Sequence, residues 1–187
     1  VPVPIPVPVQ PEPAPTPPPP APPPPPPPAP TLDETIQYWT SDSNRLRMAY
    51  PAFTRFRADL ISMKRGKAPF ISFAAMDDAG RMLIEGYEFG SAPETLDDAM
   101  EVWEDAMDDL DIDYDHQSKF DKPVGDFPAR VFITTLAGKD KRKRTAECCI
   151  VQTPTGYVGW LVAVDDVFLH KLTASRDRVI AGCAYLP

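Results

Sequence analysis

The chain has 187 residues, of which 43% are hydrophobic, 10% aromatic and 25% charged, and it carries a formal net charge of -8. Nineteen of its 26 prolines fall within the first 30 positions, so the material for a folded core runs from Leu32 to Pro187, about one ordinary domain. Only Glu12 is charged before Leu32; the acidic remainder excludes a general nucleic-acid binder, and the longest apolar run, Tyr157 to Val164, is far short of the roughly 20 residues of a membrane helix.

Val1 to Val9 alternates proline with β-branched residues, and Pro11 to Pro30 is almost entirely proline and alanine. Each ring fixes its own torsion and restricts the residue before it, so residues 1–31 are expected to be a disordered polyproline spacer that buries nothing. At about 3.1 Å per residue such a spacer reaches on the order of 90 Å. A second reading makes its overlapping Pro-x-x-Pro frames a ligand for an SH3, WW or profilin-like groove. The first residue is Val1 rather than methionine, from which an export signal removed upstream is expected; the composition of the tail gives the expectation of a periplasmic or envelope location.

From Leu32 the chain offers Leu32, Ile36 and Trp39 at helical spacing, with Asp33 and Glu34 in the first turn, predicting a short opening helix. Arg45 to Tyr50 alternates and meets Pro51, a strand ending in a turn. A weaker strand pattern covers Ala58 to Met63. Phe70 to Met76 and Arg81 to Phe89, joined by Asp77-Asp78-Ala79-Gly80, predict a hairpin. Ser91 and Glu94 have capping-box spacing. Beyond them Leu96, Ala99, Met100, Trp103, Ala106, Met107 and Leu110 form one apolar stripe, a helix that must cover a sheet. Asp111 to Asp126 reads as a loop. Three strands follow, Ala129 to Leu136, Arg144 to Gln152 and Gly156 to Val164, close enough to form an antiparallel meander. Asp165 to Cys183 predicts a closing helix, with a break possible at Thr173-Ala174-Ser175. The fold class is therefore α+β: an antiparallel sheet of about six strands, a covering helix and a C-terminal helix, in a single domain over residues 32–187.

Glu94 to Asp115 holds eleven carboxylates and no Lys or Arg. Asp109, Asp111, Asp113 and Asp115 alternate like the start of a calcium loop, but Tyr114 stands where that loop needs glycine and Phe120 where it needs a closing glutamate. A solvated helix face is the plainer reading, with a loose divalent-cation site as the alternative. The basic counterpart, Lys139, Lys141, Arg142, Lys143 and Arg144, lies in the turn before the second meander strand. It is either edge-protecting charge or a contact for an acidic partner, an anionic lipid or a polyanion. Cys148, Cys149 and Cys183 lack zinc-site spacing; as strand neighbours Cys148 and Cys149 face opposite ways, so at most one could meet Cys183. His116 and His170 neighbour no nucleophile motif, and no cofactor fingerprint occurs.

Tyr50-Pro51 after the first strand, Gly125-Asp126-Phe127-Pro128-Ala129-Arg130 leading into the later sheet, and Tyr157 to Val164 before the closing helix resemble the PsbP-like superfamily over about Arg45 to Tyr185. The resemblance implies an antiparallel sheet between helices and a non-enzymatic accessory or binding role. Its relatives include photosystem extrinsic subunits, Ran-binding proteins and exported bacterial proteins, and it carries over no site residue. The resulting expectation is an exported or envelope-tethered binding or assembly module without cofactor. Its protein partner is expected to meet Lys139, Lys141, Arg142, Lys143 and Arg144. The rival readings are a hydrolase using the acidic loop and His116, and the polyproline ligand.

Overall fold

A computed structural model of the protein describes residues 32–43, 45–61, 70–89, 93–138 and 140–187. The polyproline spacer, the Ser91 cap, Lys139 and the end of the Ala58 to Met63 segment lie outside the described residues. Leu32–Pro187 forms one unit, with ten strands among the described residues. β1 (Ile36–Thr40), β2 (Leu46–Pro51) and β3 (Thr54–Phe56) come first. The hairpin of β4 (Phe70–Asp77) and β5 (Met82–Glu88) leads to α1 (Leu96–Asp109). β6 (Asp113–Asp121), β7 (Ala129–Ala137), β8 (Lys143–Thr153) and β9 (Gly156–Asp165) follow, then α2 (Leu169–Gly182) and β10 (Ala184–Tyr185).

β3 to β9 form a seven-stranded sheet in the order β3-β4-β5-β9-β8-β7-β6, and β1, β2 and β10 form a second sheet in the order β1-β2-β10. All pairings are antiparallel. The β6 to β9 meander returns to the β4–β5 hairpin, with Ile84 opposite Val162, so the helix between them crosses the face of the sheet.

The period of two divides the large sheet into two cores. One face presents Phe73, Ile84, Val131, Cys149, Trp160 and Val162 to β2 and α2; the other presents Phe132, Cys148, Ile150, Leu161 and Ala163 to α1. Ile71 and Phe73 would share a face in a regular strand, but a bulge between them sends Ile71 to the α1 side. The expected α1 stripe is buried at Ala99, Met100, Trp103 and Met107. Its cap is Thr95: the Thr95 hydroxyl accepts from Asp98 N–H at 3.1 Å, and Asp98 accepts from Thr95 N–H at 2.9 Å. Aspartate thus does the work expected of glutamate, and the box lies four residues later in the chain than the Ser91 and Glu94 spacing placed it.

Three other expectations are corrected. The opening helix is strand β1, because Trp39 pairs opposite Met48 and Ile36 opposite Pro51, and pairing with β2 satisfies a backbone that a single turn of helix would leave half-bonded. The loop from Asp111 contains strand β6, whose backbone pairs with β7 from Asp113↔Ala137 to Asp121↔Arg130. Around Ala58–Leu60 the chain makes a single 3-10 turn rather than a strand. At Thr173-Ala174-Ser175 α2 continues unbroken: the Thr173 hydroxyl bonds back to the Leu169 carbonyl at 2.6 Å, and Ser175 is buried.

Two places show why the backbone needs glycine. Gly125 takes φ of 60° in the tight turn where Val124 N–H donates to Phe127 C=O at 3.0 Å. Gly182 closes α2 against β2, where an added Cβ would lie 2.6 Å from Ala49 Cβ. Gly182→Ala is therefore expected to destabilise the domain by about 1–3 kcal/mol, although alanine is the better helix former. Urea unfolding checks it; a variant as stable as the parent would show that α2 shifts freely on β2.

Candidate functional site

At one end of the large sheet three connections converge. The β4–β5 turn is held by Asp77, whose side chain is 1% exposed. Asp77 Oδ1 accepts the N–H groups of Arg81 and Met82, and Asp77 Oδ2 accepts Arg81 Nε at 2.7 Å. The Arg81 guanidinium lies 5.7 Å from the centre of the Phe168 ring, at the β9–α2 junction. A buried aspartate thus fixes an arginine, which in turn braces the start of α2.

The β7–β8 hairpin completes the end. Lys141 N–H donates to the Gly138 carbonyl at 2.8 Å, and Lys141 takes φ of 55°. This is the left-handed region, uncommon for a residue with a Cβ. Arg142 Nη1 donates to the Ala79 carbonyl at 2.7 Å, tying the hairpin to the β4–β5 turn. Arg144 grips Asp140 through both carboxylate oxygens, at 3.3 and 2.6 Å, and this hydrogen bonding holds the Asp140 carboxyl below the usual carboxylate range. Between these connections lies an open groove of about 670 Å³. Ala79 lines it from the turn, Lys141, Arg142 and Lys143 from the hairpin, and Asp165 to Phe168 from the junction.

The structure therefore divides the basic cluster. Lys141, Arg142 and Lys143 are exposed and line the groove, whereas Arg144 is only 12% exposed at its side chain and is neutralised by Asp140. The groove's other wall, Asp165 to Phe168, came from no sequence motif; the signal available was the apolar pair Val167-Phe168 directly after two aspartates.

The acidic region does not converge. Asp109 ends α1, Asp111 takes φ of 60° in the following turn, and Asp113 and Asp115 are exposed on β6. Among the described residues no group of three or more His, Cys, Asp or Glu side chains is placed to hold a metal ion. His116, expected in a loop, lies half-buried on β6, on the face turned to α1. Its Nε2 is 2.9 Å from Glu104 Oε1, and its ring packs against Tyr114 and Phe132 with centroids 5.3 and 5.4 Å away. That arrangement pins the edge strand to the helix. His170 is exposed on α2. Cys148, Cys149 and Cys183 are buried free thiols, and burial pushes Cys149 and Cys183 up to about 12. On the α1 side the Tyr87 hydroxyl donates to Glu85, whose carboxyl burial raises above its ordinary range.

The class defined by this architecture is an α+β domain with a helix on each face of an antiparallel sheet. Its fold is PsbP-like: the solution structure of cyanobacterial PsbP from Synechocystis superposes with a TM-score of 0.59 at 10% identity, covering 82% of this chain and 94% of that one. A Pseudomonas aeruginosa protein of unknown function, described as a putative regulator, aligns with a TM-score of 0.48 at 6% identity, over 81% of this chain and 98% of the other. LpqN of Mycobacterium tuberculosis, described as involved in cell envelope biogenesis, aligns with a TM-score of 0.44 at 8% identity, over 82% and 91%. No family model and no curated protein sequence matches the chain. Among the described residues no helix is long and apolar enough to cross a membrane.

Proposed function

We propose that residues 32–187 act as a non-enzymatic binding module. Its contact surface is the groove under the Lys141 to Lys143 hairpin, and residues 1–31 serve as the spacer that sets it away from an envelope anchor. The observation that carries this reading is the presentation of Lys141 and Lys143. Among the described residues neither forms an ion pair, while beside them Arg142 anchors the hairpin to Ala79 and Arg144 closes it on Asp140. Lysine at a left-handed position where glycine or asparagine would fit more easily is a local cost, and the fixed hairpin holds that charge toward solvent. The acidic outer face of α1, with Glu101, Asp105 and Asp108 exposed, is a second and oppositely charged surface. Opposed patches of this kind orient a partner and speed its encounter more than they add affinity.

The test is a charge reversal. Full-length Lys141→Glu/Lys143→Glu, immobilised and exposed to an extract of its own cells, is expected to recover at least about tenfold less of the bound partner, equivalent to about 1.4 kcal/mol. Circular dichroism should be unchanged, since both side chains are exposed. Equal recovery by parent and variant would retire the hairpin as the contact.

A further inference from the structure

The groove asks for more than charge. Val167, at 72% exposure, is the most exposed large hydrophobic residue described, well beyond Tyr38 at 58% and Phe56 at 51%. Its position is built rather than incidental. Val167 N–H donates to Asp165 Oδ1 at 3.0 Å, Phe168 N–H donates to the Asp165 carbonyl at 2.8 Å, and Arg81 braces the Phe168 ring. The carboxylates of this wall are tied into it: Asp165 is 6% exposed, and Asp166, though exposed, accepts the Thr145 hydroxyl at 2.8 Å while its N–H donates to the Lys143 carbonyl at 3.1 Å. The wall therefore offers the groove an apolar side chain beside one exposed carboxylate, and the opposite hairpin offers the cations Lys141, Arg142 and Lys143.

Resting on the binding-module reading, we propose that this groove takes an extended acidic peptide segment carrying an apolar side chain. The apolar side chain covers Val167, and flanking carboxylates meet Lys141 and Lys143. Charge complementarity selects acid in the segment, and the exposed valine selects an apolar residue between the acids, so the two requirements together define a sequence pattern rather than a charge. The concave shape and the mixed rim, with Asp140 at 46% side-chain exposure beside the lysines, suit a discrete peptide. A uniformly anionic bilayer would set its phosphates against that aspartate and leave Val167 without an apolar partner.

The probe is a fluorescein-labelled peptide, Glu-Asp-Leu-Glu-Asp-Leu-Glu, titrated with the full chain at low salt and followed by anisotropy. Saturable binding is expected, about tenfold weaker when serine replaces both leucines and about tenfold weaker for Val167→Asp. It should be abolished when the acids become lysines. Absence of binding, equal binding of the leucine and serine peptides, an unchanged affinity of Val167→Asp, or tighter association with phosphatidylglycerol vesicles than with the peptide would each overturn the proposal. The two readings fail separately. If the Lys141→Glu/Lys143→Glu variant loses its cellular partner while Val167→Asp binds the peptide normally, the apolar requirement falls and the binding module stands; if neither substitution has an effect, both fall.

Discussion

Replacing Trp103 by alanine is expected to remove about 3–5 kcal/mol of stability, the largest loss available from one side chain in this domain. Trp103 is 1% exposed and is the largest of the fully buried side chains. It stands edge-on to Phe132, with ring centroids 5.0 Å apart, and packs beside Tyr114 and His116 at 6.0 and 6.3 Å. One indole thus joins α1 to the edge strand β6 and to its neighbour β7. Its loss leaves a cavity that neither the helix nor the sheet can close without giving up the Thr95 cap or the β6 pairing. Urea denaturation followed by far-ultraviolet circular dichroism measures the loss. A cost under about 1 kcal/mol would mean that α1 covers the sheet only loosely. Trp103→Phe, which keeps a ring against Phe132, is expected to lose much less.

Asp77→Ala is expected to cost about 3 kcal/mol or more, because it removes one partner of a largely buried ion pair and leaves the other without its counter-charge. Three donors lose their acceptor at once: the backbone N–H groups of Arg81 and Met82, and Arg81 Nε. Met82 is fully buried, so its N–H has no water to turn to. The substitution has a second expected consequence. Arg81 no longer holds the Phe168 ring, so the Val167 wall of the groove loosens and the acidic leucine peptide should bind more weakly to Asp77→Ala than to the parent, at a temperature where both are folded. Thermal unfolding and the anisotropy titration together check the pair of effects. A full loss of stability with unchanged peptide affinity would place the groove's rigidity elsewhere.

Both predictions concern parts of the molecule with unequal legibility in the amino-acid pattern. The α1 stripe is plain because seven apolar residues recur on one face with the acids largely on the other, and a helix of that composition has one way to bury itself. The β7 to β9 strands and their turns were equally plain, since β-branched and aromatic residues fill both faces of strands buried on both sides. Strand β6 was not. Its nine residues are almost all polar, and only Tyr114 and His116 turn inward; an edge strand with one neighbour needs little apolar surface, and its charges protect it from pairing further. β1 misled in the opposite sense: Leu32, Ile36 and Trp39 are spaced for a helix, yet β2 offers a ladder of backbone hydrogen bonds that outweighs local spacing.

The candidate site divides in the same way. Lys141, Arg142 and Lys143 could be named from charge and from a turn-forming Gly138 alone. That Arg144 is consumed by Asp140 could not, since two residues four apart in a hairpin meet only when the turn geometry brings them together. Nor could Val167 be set against the hairpin, because β8 and β9 must first pair, Arg144 opposite Asp165, before the junction stands beside it.

By itself, then, the order of residues determined the two helices, the central strands and the location of each charge excess, which follow from periodicity and composition within short windows, while the PsbP-like arrangement came from the resemblance carried by Tyr50-Pro51, Gly125 to Arg130 and Tyr157 to Val164. Only the tertiary structure decided that the acidic stretch continues as an edge strand, that the opening segment pairs in a second sheet, and that a cationic hairpin and an exposed valine share one groove. These depend on hydrogen bonds and contacts between residues far apart in the chain, whose free energy no local window contains.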